Sequence, residues 1–160
     1  MKSGEKFVLI VALALLVFGI VRSELHVDQK HENDIPYYST ATPEVATRAT
    51  DIYRDNGCKS CHSLWTLKDM TQSVPAPILD GLGSLRTEQW FYDYLSNPNP
   101  QSVLPSRLKL QYRMPSYANL PEADRRVLAK YLASLKVKDW YLEETKKAEY
   151  EKLTGLTYKK

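Results

Sequence analysis

Cysteine is scarce in this sequence: there are two among 160 residues, and both fall within one stretch of four. No disulfide framework is therefore available, either to staple a small scaffold or to report an oxidising compartment. Histidine is equally sparse, at three residues, and His26 and His31 lie in a polar segment far upstream of the cysteines. A structural zinc site needs four ligands, and these residues do not supply them. An excess of one charge is also missing. With 22 basic and 19 acidic residues, the net charge of +3 is too small to argue for nucleic acid as a partner. No strand–helix–strand alternation surrounds the cysteines, so a thioredoxin-like redox pair lacks its context. The length allows one modest domain with appendages.

What is present is Cys58-Lys59-Ser60-Cys61-His62. This is the spacing of a c-type haem attachment site. Residues i and i+3 share one face of a helical turn, so both thiols can reach the two vinyl groups along one porphyrin edge. His62 follows directly and can turn its imidazole beneath the iron as proximal ligand. The expected cofactor is one haem c, covalent through Cys58 and Cys61.

Phe7 to Val21 is an uninterrupted apolar run of 15 residues between Lys6 and Arg22. It is shorter than the roughly 20 residues of a spanning helix and at the top of the signal-peptide range. The flanking cations can snorkel and lengthen it, and Val21-Arg22-Ser23 is a poor cleavage site. Residues 1–22 are thus a transmembrane anchor or a removed signal, with the anchor preferred. Lys2 and Lys6 precede the run, which puts the bulk of the chain outside the cytoplasm. The expected location is the bacterial inner membrane, single-pass, with the haem domain on the periplasmic side. Residues 23–43 are polar and aperiodic and are expected to form a linker.

The main domain is expected over residues 44–136. Thr42 or Thr47 can start a helix, with Pro43 and Glu44 making Thr42 a good cap, and Val45, Ala49, Ile52 and Tyr53 give an apolar stripe that ends at Asn56-Gly57. Leu64, Trp65, Leu67 and Met70 are expected to line the haem crevice or pack beside it. Thr87 caps a short helix from Glu88 to Leu95 whose apolar face carries Trp90, Phe91, Tyr94 and Leu95. Leu120-Pro121-Glu122 opens the clearest helix, running through Leu135 with Val127, Leu128, Tyr131 and Leu132 on one face. Residues 137–160 form a charged extension that reads as a surface-lying helix, a docking tail or a disordered tail.

Two further segments carry a family resemblance. Val74-Pro75-Ala76-Pro77-Ile78-Leu79-Asp80-Gly81-Leu82-Gly83 resembles the Gly-Pro-x-Leu-x-Gly-hydrophobic-x-Gly stretch of class I mono-haem cytochromes c, with Ala76 replacing the first glycine. The resemblance implies that the Pro77 carbonyl accepts a hydrogen bond from His62. In Arg113-Met114-Pro115-Ser116-Tyr117, Met114 stands before a proline as the axial methionine of that family commonly does, and becomes the expected sixth ligand. Met70, only eight residues after His62, is badly placed to reach the opposite face. Trp90 is either core or a donor to a haem propionate, and Arg113 is either a propionate partner or solvated. Ala49, Tyr53, Leu128 and Tyr131 match the crossing of the family's first and last helices.

The fold so implied is all-α, three to four helices around one covalent haem, with an N-terminal transmembrane helix and a C-terminal extension. The function implied is electron transfer rather than catalysis on this chain. With an anchor, the domain resembles the cytochrome c subunits of cbb-type oxidases and nitric oxide reductases, most of all in Glu88-Gln89-Trp90, Tyr94-Leu95-Ser96-Asn97-Pro98 and Arg113-Met114-Pro115-Ser116-Tyr117. It lacks the long insertion of the cbb-type subunits and is not assigned to that complex. Its expected partners are membrane subunits of an electron-transport complex, a soluble cytochrome or another carrier, and the membrane itself through residues 7–21. The alternatives are a free periplasmic cytochrome with its leader removed, and an open-site haem protein binding a small ligand.

Overall fold

The computed structural model describes residues 4, 10–20, 34–65, 74 and 76–159. The chain divides into two units, Met1–Ile35 and Pro36–Lys160. In the first, residues 10–20 are helical (α1), and apart from Gly4 the rest of the expected anchor lies outside the described residues. Among the described residues no helix is long and apolar enough to cross a membrane, so the expected spanning helix is not found there.

The second unit opens with strand β1 (Tyr37–Ser39) and helix α2 (Pro43–Asp55). The hydroxyl of Thr42 accepts from Val45 N, proline occupies the first turn, and Glu44 faces the positive end of the helix. The helix stops at Gly57, whose φ of 67° is left-handed, a region that costs residues with a Cβ. Helix α3 (Glu88–Ser96) is capped by Thr87, which accepts from Trp90 N, and closes before Pro98. Helix α4 (Glu122–Ser134) begins after Pro121 with Glu122 and Asp124 in its first turn. Strand β2 (Leu135–Val137) follows without a break, and helix α5 (Leu142–Thr154) ends the fold.

Helix α4 is central, packing against both α2 and α3. The buried cluster comprises Ala49 of α2, Leu79, Leu95 of α3, Leu128 and Tyr131 of α4, and Leu135, which is 1% exposed. Ala49 has no exposed surface, and its small side chain lets α2 approach α4 closely. Tyr53 packs at the edge of this cluster, so the four residues expected at the helix crossing do come together.

One expectation is corrected here, and of the three readings of the C-terminal extension the helical one is found. Residues 36–43 are not a free linker. Tyr37, Tyr38 and Ser39 pair antiparallel with Val137, Lys136 and Leu135 in that register, and Lys138 N donates to Pro36 O at 2.8 Å. The all-α class therefore gains a short two-stranded sheet. The pairing satisfies backbone groups that would otherwise stay unpartnered beside the buried Leu135 and Val137.

The extension beyond residue 136 is folded onto the domain as a helix. Glu149 of α5 pairs with Arg86 at 3.1 Å, Thr145 is buried, and the ring of Tyr141 meets Tyr37 edge-on.

Candidate haem site

Gly57 turns the chain out of α2 into a 3₁₀ turn over Cys58–Ser60. His62 N donates to Cys58 O at 2.9 Å and Cys61 N to the same oxygen at 3.2 Å, so one carbonyl closes the whole motif into a single loop. Both thiols are half-buried and are not joined in a disulfide. Burial pushes the Cys58 thiol above its ordinary value, keeping it protonated, while the Tyr117 hydroxyl 4.0 Å from Sγ opposes the shift.

His62 is fixed from two sides. Its carbonyl accepts from the Tyr53 hydroxyl at 2.6 Å, which ties the motif back to α2. Its Nδ1 lies 2.8 Å from Pro77 O. A carbonyl can only accept, so Nδ1 carries the proton and Nε2 presents a bare lone pair. Burial holds the imidazole below its usual basicity, hence neutral, with the Pro77 bond opposing that shift. A neutral imidazole with one nitrogen anchored and the other aimed away is the state that binds a transition metal.

Pro77 reaches His62 because the loop that carries it is held both to the residue just after the motif and to strand β2. Leu79 N donates to Ser63 O at 3.1 Å, and the Lys136 ammonium caps Gly83 O at 2.5 Å. The buried Asp80 accepts from Trp65 N at 2.7 Å, holding Trp65 at a φ of 56°, a left-handed conformation unfavourable for a bulky residue. The Trp65 indole donates to the Tyr131 hydroxyl at 3.2 Å and is 39% exposed, so it packs beside α4 rather than in a closed crevice. Leu64 packs against the core cluster, whereas Leu67 and Met70 lie outside the described residues.

Met114 is half-buried and packs against the same cluster. Its carbonyl accepts from Gln101 Nε2 at 3.0 Å. Three residues later, Tyr117 reaches Cys58, so the methionine loop and the cysteine motif belong to one site.

Trp90 is not in the buried core: Phe91 and Leu95 hold that position on α3. Its ring stacks on Tyr94 at 5.1 Å and carries Arg86 above it, also at 5.1 Å. Arg113 is exposed and uses Nε to bind Leu108 O at 2.8 Å, which leaves its terminal nitrogens to other partners. Three contributors escaped the sequence reading: Tyr53 on the His62 carbonyl, Asp80 beneath Trp65, and Gln101 on Met114. Asp80 lies inside the quoted proline–glycine stretch and offered a signal; Gln101, in a proline-rich loop, offered none.

These donors fit a haem. Two reduced thiols on one turn, followed by a neutral histidine with its second nitrogen anchored, are the set a c-type attachment site requires. They define a c-type haem protein. The cytochrome c family profile matches residues 46–136, more than half of the chain, and the chain belongs to that family. Its cofactor is haem c, bound covalently through Cys58 and Cys61. Comparison with curated proteins and with solved structures returned no match.

Proposed function

We propose that this cytochrome c carries single electrons with His62 and Met114 as its two axial ligands, as a membrane-anchored subunit of a respiratory or photosynthetic electron-transport complex. The observation that carries the reading is the 2.8 Å bond from His62 Nδ1 to Pro77 O, which frees Nε2 and raises its donor strength. When bound, haem c supplies a one-electron iron couple. Ligation by the Met114 thioether favours the reduced state and leaves no vacant position for a substrate, so reactions on bound molecules belong to another chain. The terminal nitrogens of Arg113 and the indole N–H of Trp90 are the donors that would meet propionates.

The anchor is assigned to the apolar run Phe7–Val21 between Lys6 and Arg22, whose residues 10–20 are helical with Leu13, Leu16 and Phe18 exposed. The partner surface is assigned to the chain between Asp93 and Glu122. That stretch contains no acidic residue, and Arg107, Lys109 and Arg113 leave it basic beside Met114. Such a surface attracts an acidic partner and would do so less at high salt.

A potentiometric titration of the haem-loaded full chain tests the carrier reading. One reversible one-electron wave at positive potential supports it, and the absence of a reversible wave overturns it. The mass of the mature protein tests the anchor: loss of residues 1–23 refutes it. Subunits of a membrane oxidoreductase should remain attached during purification in mild detergent.

A further inference from the structure

Thioether sulfur is a neutral, weak ligand, and its hold on iron depends on how firmly its backbone is positioned. The loop that carries Met114 has several ties. Ser116 Oγ donates to Asn97 O at 2.9 Å, and Arg125 Nη1 donates to Leu120 O at 2.6 Å and also to Ala118 O. These fix the far side of the loop. At Met114 itself the tie is the Gln101 amide, whose Nε2 donates to Met114 O at 3.0 Å. That carbonyl belongs to the peptide joining Met114 to Pro115. Proline offers no N–H on this peptide, so the carbonyl is its only hydrogen-bonding group. Holding the carbonyl sets the peptide plane, and with it the direction in which the Met114 side chain leaves the backbone.

Gln101 is itself well supported. It sits in a 3₁₀ turn over Pro100–Ser102, where Pro100 is buried, and Ser102 Oγ donates back to Asn99 O at 2.7 Å. The amide is thus carried by a short, proline-restricted turn.

We propose that Gln101 is the positioning residue for the sixth ligand: by holding the Met114 carbonyl it keeps the thioether directed at the iron and slows its exchange for other ligands. This rests on the assignment of Met114 as an axial ligand. Loss of one neutral hydrogen bond corresponds to roughly a fivefold change in an equilibrium or rate.

The test uses the haem-loaded full chain with Gln101→Glu and Gln101→Ala. Glutamate keeps the length but at neutral pH has no proton to donate. Two readouts are taken on the oxidised protein: the long-wavelength absorption of thioether-bound ferric haem, and the rate at which imidazole replaces the methionine. Both variants are expected to show a weakened band and imidazole uptake roughly fivefold faster or more. A merely structural role for Gln101 would lower the melting temperature and leave both readouts unmoved. An intact band with uptake within about twofold of the parent in both variants overturns the inference alone. A parent protein that lacks the band and binds carbon monoxide at once when reduced overturns the Met114 assignment, and the inference with it.

Discussion

Gly83 is where the proline-bearing loop touches the C-terminal end of α4, and replacing it with alanine is the most demanding test of the packing around the haem site. A Cβ at Gly83 would collide with the Ala133 carbonyl and lie 2.7 Å from Leu132 O. Both neighbours are helix backbone, so no side chain can swing aside. Either α4 or the loop must move, and the loop also carries Pro77 to His62 and is bonded through Gly83 O to Lys136. Overpacking of this kind costs about 2–3 kcal/mol, which for a domain of this size lowers the melting temperature by roughly 5–10 °C.

Gly57→Ala is the control. There the φ of 67° makes alanine unfavourable by about 1 kcal/mol, yet nothing lies within 4 Å to collide with it. Thermal melts of the haem-loaded protein, followed by far-ultraviolet circular dichroism, should rank the parent highest, then Gly57→Ala, then Gly83→Ala. A Gly83→Ala protein that melts within about 1 °C of its parent would refute the close approach.

The docking of α5 gives a second test. Arg86→Ala leaves the half-buried Glu149 carboxylate without its partner and should cost about 1–3 kcal/mol, seen as faster proteolysis within residues 142–154. Glu149→Gln should cost less, because the amide can still accept from the guanidinium. Burial also raises the Glu149 carboxyl above its ordinary value, with the Arg86 charge opposing the shift. A raised folded-state pKa favours the neutral acid in the fold. The stability this group contributes is therefore fully present at low pH and lost as pH rises through the folded value. Melting temperatures measured from about pH 4 upward should fall less steeply in Glu149→Gln than in the parent; equal slopes would contradict the assignment.

Much of the site was legible because its signals are local. Cys58, Cys61 and His62 are contiguous, Pro77 sits in a punctuated motif, and Thr42, Thr87 and Pro121 mark helix starts by cap chemistry that acts over three or four residues. What escaped depends on contacts between distant segments. Tyr37–Ser39 is a strand only because Leu135–Val137 lies beside it, and a three-residue strand has no periodicity to read. Helix α5 is charged on most of its surface, and its place is set by Arg86 and Gly81, which lie about 60 residues earlier. For Trp90 the sequence leaves core and propionate donor open, because a large aromatic suits both; stacking on Tyr94 and Arg86 stabilises it half-exposed, outside the buried core.

Carbon monoxide binding to the reduced haem-loaded protein tests the His62–Met114 pair most directly. If His62 and Met114 both bind the iron, as proposed, the parent should show no spectral change on brief exposure, and Met114→Ala should bind the gas at once. A parent that takes up carbon monoxide as readily as Met114→Ala would contradict the assignment and make this an open-site haem protein.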